Sequence, residues 1–143
     1  MGHTIATSVL IDAAPERVWG ILMDFAAYPS WNPFIVGIEG EARPGKKLTV
    51  DVQPPGWTAQ SFKPVVLTAD PAQAFVWRGS LPVPGLFTGE HSFRLTRQGD
   101  RTHFHHAESF SGLLLPLVKR MLARTEEGFQ LMNAALKARA EAR

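Results

Sequence analysis

The chain contains no cysteine, so neither a disulfide framework nor thiolate chemistry is available to it. No apolar run approaches the roughly 18 residues that a membrane-spanning helix needs, and no transmembrane segment is expected. The opening Met1-Gly2-His3-Thr4-Ile5 has neither the basic start nor the apolar stretch of a secretory signal. Ala6 stands where a myristoylation site requires Ser or Thr. A cytoplasmic location is therefore expected. Charge of one sign is also scarce: Lys and Arg number 15 against 13 Asp and Glu, a net charge of +2. That balance is not a nucleic-acid footprint, and no nucleic-acid partner is expected. Lys119, Arg120 and Arg124 cluster, but Glu126 and Glu127 follow them directly, which reads as a solvated helix face. Phosphate-binding glycine loops, a Gly-x-Ser-x-Gly elbow and His-Glu-x-x-His are all missing, so no cofactor is expected.

What is present is enough for one core. A length of 143 residues with 45% hydrophobic side chains suits a single domain, residues 1–143. Residues 4–12 alternate as a strand. Asp12 precedes a helix with Pro15 near its first turn, where the missing N–H costs nothing, and Glu16 complements the helix dipole. Val18, Trp19, Leu22 and Met23 recur at helical spacing. Tyr28-Pro29 ends that helix or begins a short second one, and Asn32-Pro33 forces an extended exit. Strands are then expected at residues 34–39, 47–53, 61–69, 74–79, 89–96 and 101–111, seven in all with the first. Residues 97–100 turn the last hairpin. Between them, residues 81–87 form an apolar, proline-rich loop, read either as a gate or as ordinary capping of the core edge. Residues 115–142 form a long helix, with Val118, Met121, Leu122, Thr125, Phe129, Met132 and Leu136 on one face.

This order is an α+β arrangement, and it resembles the helix-grip fold of the START/Bet v 1-like (SRPBCC) superfamily, in its polyketide cyclase/dehydrase and lipid-transport group. The marks are Ala14-Pro15-Glu16-Arg17-Val18-Trp19, Tyr28-Pro29-Ser30-Trp31-Asn32-Pro33-Phe34, Gly89-Glu90-His91-Ser92-Phe93 and the hairpin that ends at Leu114. The resemblance covers nearly the whole chain. It implies a seven-stranded curved antiparallel sheet wrapped around the long C-terminal helix, with two short helices after the first strand. It also implies a deep, mostly apolar cavity between sheet and helix. Members bind lipids, hormones, polyketides or quinones, some catalyse cyclisation or dehydration, and others are co-chaperones, so fold leaves function open.

Strand alternation supplies the inner face. Phe93 and His91 share one strand face, Phe104, His106, Glu108 and Phe110 another, and Trp77 shares a third with Phe75. Met121, Thr125, Phe129 and Met132 close the cavity from the helix, and Trp31 and Phe34 line its entrance. All of these are candidate ligand contacts. His91, His106 and Glu108 are the polar exceptions. They read as mutual satisfaction of buried groups, as an anchor for a ligand carbonyl or hydroxyl, or as a metal site, and no metal is assigned. Three functions follow. The first is binding of an apolar small molecule of lipid, polyketide or aromatic type. The second is a cyclase or dehydratase with His106 and Glu108 as catalytic acid and base. The third is a quinone-delivery or co-chaperone interaction module. Ligand identity is beyond the sequence, and homodimer formation is left open.

Overall fold

Alternating apolar residues draw the chain into antiparallel ladders, and the computed structural model describes them over residues 2–80 and 85–142. Strand β1 (Gly2–Ile11) leads into α1 (Pro15–Met23), a 3-10 turn (Phe25–Ala27) and the single-turn α2 (Tyr28–Trp31). Seven strands follow: β2 (Ile35–Gly40), β3 (Leu48–Val52), β4 (Gln60–Phe62), β5 (Val65–Asp70), β6 (Ala74–Ser80), β7 (Thr88–Gln98) and β8 (Arg101–Ser111). A 3-10 turn (Leu115–Val118) then feeds α3 (Lys119–Glu141).

The fold is the α+β helix-grip arrangement, with two differences from the sequence expectation. Eight strands are present among the described residues instead of seven, because the stretch 61–69 splits into β4 and β5 around Lys63-Pro64. Proline has no N–H to give a ladder, so the strand breaks there. The strands also form two sheets, β1-β8-β7-β6-β5 and β2-β3-β4. These meet at one corner. Gly45 N donates to Val66 O, Val66 N to Lys46 O, and Leu48 N to Pro64 O, all at 2.9 Å. The C-terminal helix differs more simply: its first turn, with Pro116, is 3-10, and the α-helix proper begins at Lys119. Of the proline-rich loop, residues 81–84 lie outside the described residues.

The helix lies in the grip of the sheets. Leu122, Thr125, Phe129, Met132, Asn133, Leu136 and Ala140 form its buried face. Phe129 and Met132 are fully buried, as are Phe75, Phe93 and Phe104 on the strands. Each such side chain contributes about 1.5–3 kcal/mol relative to exposure. Phe34 packs straight onto Gly128, where any Cβ would collide with its ring. That contact brings the start of β2 against α3. At the far end, Arg17 donates from Nε to Ala140 O at 2.5 Å and from Nη2 to Ala142 O at 2.7 Å. These bonds satisfy carbonyls that the end of a helix leaves unpaired. The insert is locked as tightly: Tyr28 donates its hydroxyl to Leu22 O at 2.8 Å. Asn32 Oδ1 accepts from Phe34 N at 3.0 Å and Ile35 N at 2.9 Å, turning the chain into β2.

Candidate functional site

A cavity opens on the inner face because the side chains there shrink along the strands. On the β6–β7 pair, Phe75 lies opposite Phe93, Trp77 opposite His91, and Gly79 opposite Gly89. On β8 the neighbours of Phe93, His91 and Gly89 are His106, Glu108 and Phe110. The large end is solid core. The glycine end leaves a cavity of about 140 Å³. Its back wall is Trp77, Gly79, Gly89, His91, Glu108 and Phe110. Val50, Val52 and Phe62 of the smaller sheet face them, and Met121, Leu122 and Thr125 of α3 close one side. Phe34 reaches the floor, while Phe87, stacked on Phe110 with ring centroids 5.8 Å apart, stands at the mouth.

The polar residues run as one hydrogen-bonded file from this cavity into the core. Glu108 Oε1 lies 3.0 Å from His91 Nδ1. His91 Nε2 lies 2.8 Å from His106 Nε2, and His106 Nδ1 lies 2.9 Å from Asn133 Oδ1. Asn133 Nδ2 donates to Thr7 Oγ1 at 2.8 Å, and Thr7 donates to His106 O at 2.9 Å. The file draws on β7, β8, α3 and β1, so only the assembled fold produces it. The two imidazoles are held between aromatic faces. His106 stacks on Phe129 at 3.9 Å and 7°, and His91 on Trp77 at 4.7 Å and 19°. Burial, with the electrostatic effect of His91 second, pushes the His106 pKa well below its ordinary value, so its ring is neutral. The 2.8 Å between the two Nε2 atoms is a hydrogen-bond separation, with no space for an ion between them.

The residues expected to contact a ligand fall into two groups, with Trp31 outside both. Phe34, Trp77, His91, Glu108, Phe110, Met121 and Thr125 line the cavity. Phe93, Phe104, His106, Phe129 and Met132 are buried behind it, in the filled half of the core. His106 is fully buried, so it touches the cavity only through His91. Trp31 packs edge-on against Tyr28 with centroids 5.3 Å apart and lies off the described lining. Its Nε1 is buried without a partner among the described residues. Arg78 points outward and pairs with Glu90 at 3.0 Å, leaving Glu108 to His91.

Sequence reasoning missed the contributions of Val50, Val52 and Phe62 from the smaller sheet, of Phe87 and Leu122, and of three residues that shape the site. Gly79 and Gly89 read as strand ends, although adjacent glycines on one face leave a gap in a packed layer. A Cβ built at Gly89 would sit 2.5 Å from Glu108 Oε2, so this glycine makes the room the carboxylate occupies. Asn133 falls outside the stripe counted on α3, which includes Thr125 but no amide side chain. Its spacing of four from Phe129 places it on the same face.

Comparison with known proteins follows the same lines. Solved structures similar to this chain include the Zhui aromatase/cyclase from Streptomyces sp. R1128, with 17% identity, 99% of this chain and 94% of that chain covered, and a TM-score of 0.80. A START superfamily protein from Mycobacterium smegmatis shows 26% identity, 97% coverage of both chains and a TM-score of 0.73. Ara h 8.0201 shows 14% identity, 96% and 99% coverage and a TM-score of 0.65. No curated protein matches the sequence. At these identities the structural likeness speaks for the fold. The sequence itself matches the profile of the family described as polyketide cyclase/dehydrase and lipid transport over residues 2–141. With that match spanning nearly every residue of the helix-grip domain, the chain belongs to the polyketide cyclase/dehydrase and lipid transport family of the START/Bet v 1-like superfamily.

Proposed function

We propose that the protein binds an apolar small molecule, about one aromatic ring in size, in the cavity between the sheets and α3. The observation that carries this reading is the partly open gap at Gly79 and Gly89, walled by Trp77, Phe110, Phe34 and Phe62. Its volume of about 140 Å³ is close to that of hydrocarbon cavities that accept benzene. A ring burying roughly 150 Å² gains roughly 4 kcal/mol, before the cost of association is subtracted. That is weak binding by itself, so a polar contact must supply the rest of the affinity and the orientation. Glu108 is one polar group on the wall, and its Oε2 lies beside Gly89 within the lining.

A second reading has its own support. Glu108 and His91 form an acid–base pair on the cavity wall, 3.0 Å apart. The similar Zhui protein is described as an aromatase/cyclase. A cyclase or dehydratase here would use Glu108 and His91 on the substrate, with His106 holding His91 from behind.

One experiment addresses both. The protein is titrated with ethylbenzene by calorimetry, then incubated with a single-ring β-hydroxyketone and analysed by mass spectrometry. Saturable one-to-one binding of ethylbenzene is the expected result. Recovery of the β-hydroxyketone unchanged favours binding alone, and loss of one water favours the dehydratase. Absence of any saturable ethylbenzene binding would sink the ligand-binding reading.

A further inference from the structure

The hydrogen-bond directions along the polar file are determined from its inner end. The backbone carbonyl of His106 only accepts, so the Thr7 hydroxyl donates to it. Thr7 has then spent its one proton and must accept from Asn133, which makes Nδ2 the atom of Asn133 that faces it. Asn133 Oδ1 therefore faces His106 and accepts, so His106 Nδ1 carries the proton. The ring of His106 is fully buried against Phe129 and neutral, which leaves its Nε2 bare. His91 Nε2 is then the donor across the 2.8 Å contact. One position remains: a single proton is shared between His91 Nδ1 and Glu108 Oε1.

This order settles what Glu108 offers the cavity. Its other oxygen, Oε2, lies over Gly89 and makes no hydrogen bond among the described residues. Whether the shared proton rests on His91 or on Oε1, Oε2 is an acceptor. Moving the proton to Oε2 would set Oε1 and a bare Nδ1 against each other at 3.0 Å, two lone pairs with nothing between them. We propose that the cavity selects ligands that present a hydroxyl donor to Glu108 Oε2, phenolic, enolic or alcoholic, and rejects carbonyl ligands of the same shape. The inference rests on the ligand-binding reading and narrows it to one chemistry at the polar end. Thr7, Asn133 and His106 are positioning residues in this scheme, since none of them lines the cavity.

The test uses three ligands of nearly equal size: ethylbenzene, acetophenone and 1-phenylethanol, each titrated calorimetrically at neutral pH. The alcohol is expected to bind about tenfold or more tightly than the ketone, as befits a hydrogen bond to a carboxyl group against an unpaired acceptor facing an acceptor. Glu108→Met should abolish that preference and leave ethylbenzene binding in place. Glu108→Gln should retain it, because its amide NH2 can donate to His91 and leave the carbonyl oxygen toward the cavity. Gly89→Ala should weaken the preference by displacing Oε2, while keeping Glu108 itself. Equal binding of ketone and alcohol, with ethylbenzene still bound, overturns the selectivity and spares the binding function. An alcohol preference that survives Glu108→Met also overturns it. Failure of all three ligands to bind overturns both.

Discussion

The two ends of the same strands teach opposite lessons. At one end of the β6–β7–β8 face, Phe75 stacks on Phe93, Phe93 packs against His106, and His106 stacks on Phe129, all of them buried. At the other, Gly79 and Gly89 face each other and the layer is open. Backbone pairing continues through both ends, so the difference lies in side chains alone. The filled end carries stability. The open end gives some of it up, since paired glycines weaken strands and bury nothing. Between them stand Trp77 and His91, with Glu108 beside His91, where the polar file crosses from core to cavity.

The sharpest way to break this contrast is to open the filled end. Phe129→Ala removes a fully buried ring stacked on His106 and should cost about 3–5 kcal/mol, read from urea denaturation midpoints. A loss under about 1 kcal/mol would mean the two ends do not differ as described.

Acid should find the filled end next. His106 sits well below its ordinary pKa of 6.5 because it is buried. The unfolded chain takes up this proton near pH 6.5, whereas the folded one does not until the pH is lower. Stability from this group is thus complete above pH 6.5 and declines below it, by up to about 1.4 kcal/mol per pH unit. Denaturation midpoints for the native chain and His106→Gln should diverge at high pH and converge on acidification. Parallel curves would remove His106 as the source.

Filling the open end should have the smallest effect on stability. A Cβ at Gly79 would meet Pro64 at 3.6 Å, an ordinary contact, so the backbone accepts a side chain there. Gly79→Val should leave the melting temperature unchanged or raise it slightly, by roughly 0.5–2 kcal/mol of added stability at most. Ethylbenzene binding should meanwhile fall about tenfold or more. Unimpaired binding would place the ligand elsewhere.

Much of this was legible in the sequence, and what was not has physical reasons. Alternation on three strands correctly grouped Trp77, His91, Phe93, Phe104, His106, Glu108 and Phe110 on the inner face. The helix stripe from Leu122 to Leu136 is the buried one. Periodicity reports a face, however, and not a depth along it. It cannot separate Phe110, which lines the cavity, from Phe104, which lies in solid core. That division depends on what stands opposite, and the deciding residues are glycines, which carry no hydropathy signal. The break at Lys63-Pro64 was visible as a proline within a strand, but its consequence, two sheets instead of one, belongs to long-range pairing. The bond between His91 and His106 depends on register and on α3 pressing Asn133 into place.

The corner where the two sheets meet bears on ligand size. Three backbone hydrogen bonds near Lys46–Leu48 and Pro64–Val66 form its spine. Val50, Val52 and Phe62 lie on one cover of this book, and Trp77 and Phe110 on the other. Away from the spine, side-chain contacts hold the covers together. The distance between the covers, and with it the room beside Gly79 and Gly89, is thus set by packed side chains and not by a continuous backbone ladder.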